Sequence, residues 1–247
     1  MAPRFYGLLL CWLLTVLPVW GALASVDLAA PGRTDADLAR DATSRPTEII
    51  AFAGVLPGMQ IADIFGGSGY YTELLAQAVG DEGRVYLHNN AAYRGFVGQQ
   101  LDLRLAGERL PNVVRLDREA DELGLEEQSL DGIFLVLAFH DFYFREKDWN
   151  VTAAEVMPQL RAALRPGGFL LLIDHAALPG SGSEAAQELH RIDEAFVKSA
   201  VQKFGFELVA ESPVLRNADD PRTLSVFDPS VRRRTDRFVH LYRRPER

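Results

Sequence analysis

The strongest constraint on the fold is the segment QIADIFGGSG, residues 60–69. A short apolar run contains one acid, Asp63, and is followed by Gly66, Gly67 and Gly69. The next residues, YYTELLAQAV, have the composition of a helix. Glycine adopts positive φ and lets backbone amides approach a ligand closely, so this strand–turn–helix unit is typical of a binding loop. A tight connection without a ligand is the alternative.

Predicted strands alternate with predicted helices along the rest of the chain. The seven predicted strands are residues 61–65, 84–88, 113–116, 132–138, 169–174, 207–215 and 238–242. The fourth and fifth are nearly continuous apolar runs, as central strands of a parallel sheet should be. Helices are predicted at 43–55 and at 184–204, and the latter would place His190 and Asp193 on one face. The pattern predicts an α/β protein with helices on both faces of the sheet.

The order of these motifs resembles that of class I S-adenosylmethionine-dependent methyltransferases. Asp63 matches the acid of the family's first motif, and Gly67 and Gly69 match the last two glycines of its G-x-G-x-G. Phe65 stands at the first glycine position and Gly66 follows it. Residues 83–90, GRVYLHNN, resemble the second strand, and residues 164–176, LRPGGFLLLIDHA, resemble the turn and fifth strand. The segments GYYTELL, FHDF, HRID and TDRF resemble a subgroup of secreted bacterial methyltransferases.

The resemblance implies a doubly wound Rossmann-like sheet, mostly parallel with one antiparallel edge strand, and S-adenosylmethionine as cofactor. The implied cofactor-binding residues are Asp63, Gly66, Gly67, Gly69, Asn89 and Asp121. Asn89 stands where the family has a ribose-binding acid, and an amide can also hydrogen-bond a hydroxyl. Asp117, Glu119 and Asp121 are all candidates for the adenine contact, and the spacing to the fourth strand favours Asp121.

Three of the five histidines are expected at the carboxyl edge of the sheet. His140 follows the fourth strand, His175 follows the fifth, and His190 lies on the next predicted helix. We expect His140 to be the general base, with Asp141 or His190 orienting it. A divalent metal held by these histidines is the alternative, and structural histidines are a third interpretation. We predict no metal.

Length and charge restrict the class of protein. A chain of 247 residues suits one α/β domain. Its formal charge of −8 argues against nucleic acid as a partner and leaves a small-molecule substrate. Arginines 232–234 and Arg237 could attract an anionic substrate, although a solvated loop is the preferred interpretation. They belong to a long predicted loop, residues 216–236, which could be a lid or a substrate-binding element.

The first 24 residues have the pattern of a signal peptide. Arg4 precedes the apolar segment GLLLCWLLTVLPVW, and residues 22–24, Ala-Leu-Ala, form a cleavage site before Ser25. An uncleaved anchor is the alternative. We expect a periplasmic or secreted protein without stable membrane association, with a loose lead-in at 25–42 and a single domain at 43–247. The only cysteine, Cys11, lies in the signal segment, so the mature chain has no disulfide.

Two functions are compatible with this pattern. The first is methyl transfer from S-adenosylmethionine to a small acceptor. The second is a non-catalytic exported binding module that keeps the fold and holds a nucleoside-like or other small ligand. The second stays open because S-adenosylmethionine is made in the cytosol, whereas the signal peptide directs the chain out of it.

Overall fold

The computed structural model describes residues 25–147 and 149–246. The predicted signal peptide lies outside these residues. Among the helices of the described segments, none has both the length and the apolar character that crossing a membrane requires.

A seven-stranded sheet forms the centre of the protein. Its strands are β1 (Gln60–Ile64), β2 (Arg84–Asn89), β3 (Val113–Asp117), β4 (Leu130–Val136), β5 (Leu164–His175), β6 (Glu207–Ser212) and β7 (Arg237–Arg243). They lie in the order β3-β2-β1-β4-β5-β7-β6. Neighbouring strands are parallel except for β7, which is antiparallel to both β5 and β6. The predicted mostly parallel sheet with an antiparallel edge is confirmed.

Helices cover both faces of this sheet. They are α1 (Asp35–Ser44), α2 (Pro46–Ala53), α3 (Tyr70–Val79), α4 (Ala91–Val97), α5 (Gln100–Leu105), α6 (Ala153–Ala163), α7 (Ala185–Leu189) and α8 (Glu194–Lys203). The apolar residues of α2 and α3 pack with Ile61 and Phe134 on one face. Those of α6 and α8 pack with Ile64 and Leu135 on the other. Because successive side chains of a strand point to opposite faces, β1 and β4 carry apolar residues toward both; their polar exceptions are Gln60, Asp63 and Asp131.

The N-terminal segment is more ordered than the sequence predicts. Residues 25–42 were expected to form a loose lead-in, but α1 begins inside them, so that prediction was wrong. Thr34 and Asp37 form a reciprocal capping box: the Asp37 carboxylate accepts from the Thr34 amide at 2.9 Å, and the Thr34 hydroxyl accepts from the Asp37 amide at 3.2 Å. The sequence contained this signal, a threonine three residues before an acid.

The predicted helix at 184–204 is interrupted. His190 adopts a left-handed conformation with φ of 52° and ends α7, and Asp193 caps the start of α8. Between them, Arg191 is fully buried and forms a bidentate ion pair with Asp220, with N–O distances of 2.7 and 3.0 Å. A buried guanidinium needs such a partner, and reaching Asp220 takes Arg191 out of a continuous helix. The prediction that His190 and Asp193 share a helix face was therefore wrong.

Candidate active site

The glycine turn joins β1 to α3 and has positive φ at Gly67 (62°) and at Gly69 (81°). A Cβ atom at Gly66 would lie 2.6 Å from the Asp63 carboxylate and would also collide with Leu87. Gly66 is therefore required for close packing. A Cβ atom at Gly67 would have only Val97 nearby, at 3.7 Å. The backbone of Gly67 thus borders open space, as a close approach to a ligand requires.

The turn ends at the N-terminus of α3, which has no side-chain cap. Free amides and the positive end of the helix dipole at such a terminus suit an anionic group. Asp63 lies just behind the turn and accepts a hydrogen bond from the Thr72 hydroxyl at 2.6 Å. Burial raises the pKa of Asp63 to about 6, although the bond from Thr72 opposes this shift. In this arrangement Asp63 braces the first turn of α3.

Asn89, at the end of β2, holds the turn through both atoms of its amide. Its Oδ1 accepts from the Gly67 amide and its Nδ2 donates to the Gly67 carbonyl, both at 2.9 Å. The residue is fully buried. Asn89 therefore positions the backbone of the turn directly, and its predicted contact with a ribose stays a prediction.

Phe65 fits the first glycine position because its ring leaves the turn. The residue has φ of 53°, and its ring packs among His88, Tyr93, Phe142 and Trp149 with centroid separations of 4.9–5.9 Å. Such aromatic contacts compensate for the strain of a left-handed non-glycine residue. Phe65 therefore links the glycine turn to this aromatic cluster.

The three acids after β3 have different surroundings. Asp117 pairs with Arg115 at 2.9 Å. Glu119 accepts from the amide of Ala91 at 3.1 Å, at the segment that follows β2. Asp121 is exposed and lies in a turn. Asp117 is also the register partner of Asn89, so Asp117 and Glu119 both lie near the end of β2. The adenine contact predicted for Asp121 stays a prediction.

His140 lies just after β4 and contacts two carboxylates. Its Nδ1 lies 2.7 Å from Asp174 at the end of β5, and its Nε2 lies 3.1 Å from Asp141. The backbone amide of His140 also donates to Asp174 at 2.8 Å. Burial opposes the charged imidazolium, but the two carboxylates outweigh it and raise the pKa of His140 to about 10. His140 is therefore a cation at neutral pH, and this geometry argues against the predicted role as proton acceptor.

Asp141 links His140 to two further side chains. Its Oδ2 accepts from the Tyr93 hydroxyl at 2.8 Å, and its Oδ1 lies 3.6 Å from Nδ1 of His190. Although burial alone would favour the neutral acid, His140 holds the pKa of Asp141 far below its usual range. The His190 ring is partly exposed and lies between Phe144 and Phe227, with centroids 4.8 and 5.0 Å away. The predicted proximity of His140, Asp141 and His190 is thus present.

His175 takes a separate place in the site. Its Nδ1 lies 2.7 Å from the Thr235 hydroxyl, and burial holds its pKa well below the usual range. Ligand atoms of His140, Asp141 and His190 converge within 4.8 Å, a spacing that could hold a metal ion. A metal ligand must be deprotonated, whereas both nitrogens of His140 face carboxylates, so the set fits a metal poorly.

A buried network of ion pairs, which the sequence analysis missed, connects α1 to the glycine turn and to α3. The guanidinium of Arg104 contacts Asp37 at 2.8 and 3.0 Å, donates to the Ser68 carbonyl at 2.5 Å and pairs with Glu73. Arg109 adds a bidentate pair with Glu73 at 2.7 and 2.8 Å. These partners lie 31–67 residues apart in the chain. The capping box of Thr34 and Asp37 is the only part of this network that has a local sequence pattern.

Comparison with characterised sequences finds relatives that match only part of the chain. No model of a protein family matches the chain. Over 143 residues it is 30% identical to the ubiquinone/menaquinone biosynthesis C-methyltransferase UbiE of Teredinibacter turnerae, a match that covers 57% of this chain and 53% of the relative. UbiE of Ectopseudomonas mendocina is 27% identical over 134 residues, covering 53% and 47%. The chain thus spans about half the length of the curated relatives that it matches.

Comparison with solved structures establishes the fold. A SAM-dependent methyltransferase from Aquifex aeolicus superposes with a TM-score of 0.60 at 18% identity, over 83% of this chain and 93% of the other. The [4+2]-cyclase SpnF superposes with a TM-score of 0.58 at 12% identity, over 91% and 88%. The chain therefore has the class I methyltransferase fold. Because SpnF is a cyclase, the fold alone does not fix the reaction.

Proposed function

We propose that this protein transfers a methyl group from S-adenosylmethionine to a small-molecule acceptor. The observation that supports this most directly is the open backbone of Gly67 beside the uncapped start of α3, at the carboxyl edge of the sheet. Open α/β sheets bind ligands at this edge, where the strand order reverses next to β1. The sequence similarity to two UbiE methyltransferases supports the same reaction.

The residues around the turn fit the cofactor. The amides at the start of α3 suit its carboxylate, and Gly67 allows close approach of the ligand. Gly69 instead makes room for Arg104, which lies 3.0 Å from its Cβ position. Asp63, Gly66 and Asn89 hold the turn in shape, and Glu119 or Asp121 would meet the adenine. Bound there, S-adenosylmethionine supplies an activated methyl group on a positively charged sulfur, so the chain's main tasks are alignment and exclusion of water.

Proton removal from the acceptor is assigned to His190. Its imidazole is partly exposed and lies beside Asp141, which is itself fixed by protonated His140 and by the Tyr93 hydroxyl. A partly exposed imidazole held beside a carboxylate has the chemistry of a general base. Asp174 stabilises the His140 cation from the opposite side. In this proposal His140 and Asp141 position His190, which replaces His140 as the general base.

We also propose export, with a mature chain that begins at Ser25. Export motivates a second candidate function, a binding module that retains the fold. The observation that favours it is the engagement of both Asn89 amide atoms with the turn, which leaves this position without the charged ribose ligand of the family.

Calorimetry with S-adenosylmethionine and S-adenosylhomocysteine separates the two candidates. If the protein is a methyltransferase, residues 25–247 should bind each ligand in a one-to-one ratio. If neither ligand binds, the binding module is favoured. Gly67→Val should weaken binding by more than tenfold, about 1.4 kcal/mol, because a branched side chain fills the open space and resists positive φ. Gly54→Val is the matched control: Gly54 also has positive φ (73°) and an open Cβ position, but it caps α2 away from the turn. Unchanged affinity in folded Gly67→Val would exclude the turn from the site.

A further inference from the structure

A cavity of about 320 Å³ lies where the end of α1 and the start of α2 meet the loop between β6 and β7. Its size falls within the range of small-molecule pockets. Five arginines line it, together with one acid, Asp219; they are Arg45, Arg216, Arg233, Arg234 and Arg237. The whole chain has a formal charge of −8, so this concentration of positive charge does not reflect its composition.

Two of the five arginines are neutralised by neighbouring acids. Arg45 pairs with Glu48 at 2.5 Å, and Arg216 pairs with Glu194 at 2.5 Å. Arg233 and Arg234 have no carboxylate within 4.0 Å among residues 25–147 and 149–246. The lining therefore keeps an excess of positive charge.

Arg237 is the most informative member of the lining because it is only 7% exposed. Its Nη2 donates to the Thr43 carbonyl at 2.5 Å, whereas its Nε has no hydrogen-bond partner within the described part of the chain. Burial lowers the pKa of Arg237, and the nearby guanidinium of Arg40 lowers it further. The adjacent acid, Asp236, contacts Arg222 at 2.8 Å instead. No carboxylate lies within 4.0 Å of the Arg237 guanidinium among the described residues, so an anion in the cavity that it lines would supply the charge partner that buried cations normally have.

One residue that lines the cavity contacts a histidine of the candidate active site. Thr235, which lines it, hydrogen-bonds Nδ1 of His175 at 2.7 Å. Arg237 of β7 lies opposite His175 of β5 in the antiparallel register. The ring centroids of His175 and His140 are 5.9 Å apart. A molecule anchored among the arginines would therefore lie close to the histidine cluster.

We propose that this cavity binds a carboxylate or phosphate group of the methyl acceptor. Guanidinium groups bind both oxyanions through paired N–H donors, which gives orientation as well as affinity. The assignment rests on the proposed function, because only a methyl-transfer reaction makes the anion part of an acceptor. Anchored in this way, the acceptor would present its nucleophilic atom toward the proton-accepting cluster at the end of β4.

The test measures binding of inorganic phosphate and of acetate to residues 25–247 by calorimetry at constant ionic strength. Saturable binding of at least one of them is expected, and the tighter of the two identifies the class of anion. The double variant Arg233→Gln, Arg234→Gln should weaken that binding at least tenfold. Both residues are exposed, so folding should be preserved. Arg232→Gln is the matched control, because Arg232 is exposed in the same loop but does not line the cavity.

A parallel titration with S-adenosylmethionine separates the failure of this inference from the failure of the proposed function. Unchanged cofactor affinity at saturating anion supports an acceptor site. Full competition between anion and cofactor would assign the cavity to the cofactor and overturn the inference. The inference is also overturned if the protein binds the cofactor but neither anion. It is equally overturned if Arg232→Gln and the double variant lose the same amount of anion affinity. Arginine-dependent anion binding without any cofactor binding would refute the proposed function and the acceptor assignment with it.

Discussion

Replacing His140 should change how stability depends on pH. The pKa of His140 is about 10 in the folded protein, against about 6.5 in an unfolded chain. The folded state therefore holds a proton that the unfolded state has released, so the free energy of unfolding falls as pH rises through this interval. The contribution is fully present below pH 6.5 and is lost as pH approaches 10. From pH 7 to pH 9 the loss should be on the order of 2–3 kcal/mol.

Urea denaturation of the wild type and of His140→Gln at several pH values between 7 and 9 measures this effect. Glutamine keeps a hydrogen-bonding side chain but cannot carry the proton, so the excess decline in wild-type stability should disappear. His175→Gln is the matched control. His175 has a lowered pKa and is neutral in both states above pH 7, so its substitution should shift stability by an amount that does not vary with pH.

Two results would refute this reasoning. One is an identical pH dependence in the wild type and His140→Gln. The other is an NMR titration in which the His140 ring loses its proton near or below pH 6.5. Either result would mean that the two carboxylates do not hold a cation, and His140 would again be available as the general base.

Three further predictions concern the site, the core and the leader. His190→Gln should lower turnover about 10²-fold and leave cofactor affinity unchanged, and unchanged turnover would exclude His190 as the base. Arg104→Met should cost about 3 kcal/mol or more in urea denaturation because it leaves buried Asp37 unpaired, whereas the partly exposed pair broken by Arg115→Met should cost less than about 1 kcal/mol. Intact-mass measurement of protein from its native source should show a chain that starts at Ser25, and a dominant species starting at Met1 would contradict cleavage and indicate an uncleaved anchor or a cytosolic protein.

The sheet was predictable because its determinants are local. Apolar runs such as the one before Asp63 and the one after Gly168 identify buried strands, and the glycine turn fixes where β1 ends and α3 begins. The predicted strand bounds lie within two residues of those observed, except that β5 begins five residues earlier, at Leu164, and β6 ends three residues earlier, at Ser212. Local patterns also place His140 and Asp141 correctly at the end of β4.

The electrostatics of the site were not predictable in the same way. Asp174 reaches His140 from a strand 34 residues away, and this contact turns an expected base into a cation. Arg191 breaks a helix that its sequence favours, because its partner Asp220 lies 29 residues further along the chain. Such pairs decide protonation and backbone geometry, but a single sequence gives no periodic signal for them.

A crystal structure of residues 25–247 with S-adenosylhomocysteine tests the central claim most directly. The ligand should lie against the glycine turn with its carboxylate at the start of α3, its adenine beyond the ends of β2 and β3, and its sulfur facing the cluster of Asp141 and His190. Binding at another edge of the sheet, with the turn still open at Gly67, would contradict the proposed methyltransferase site.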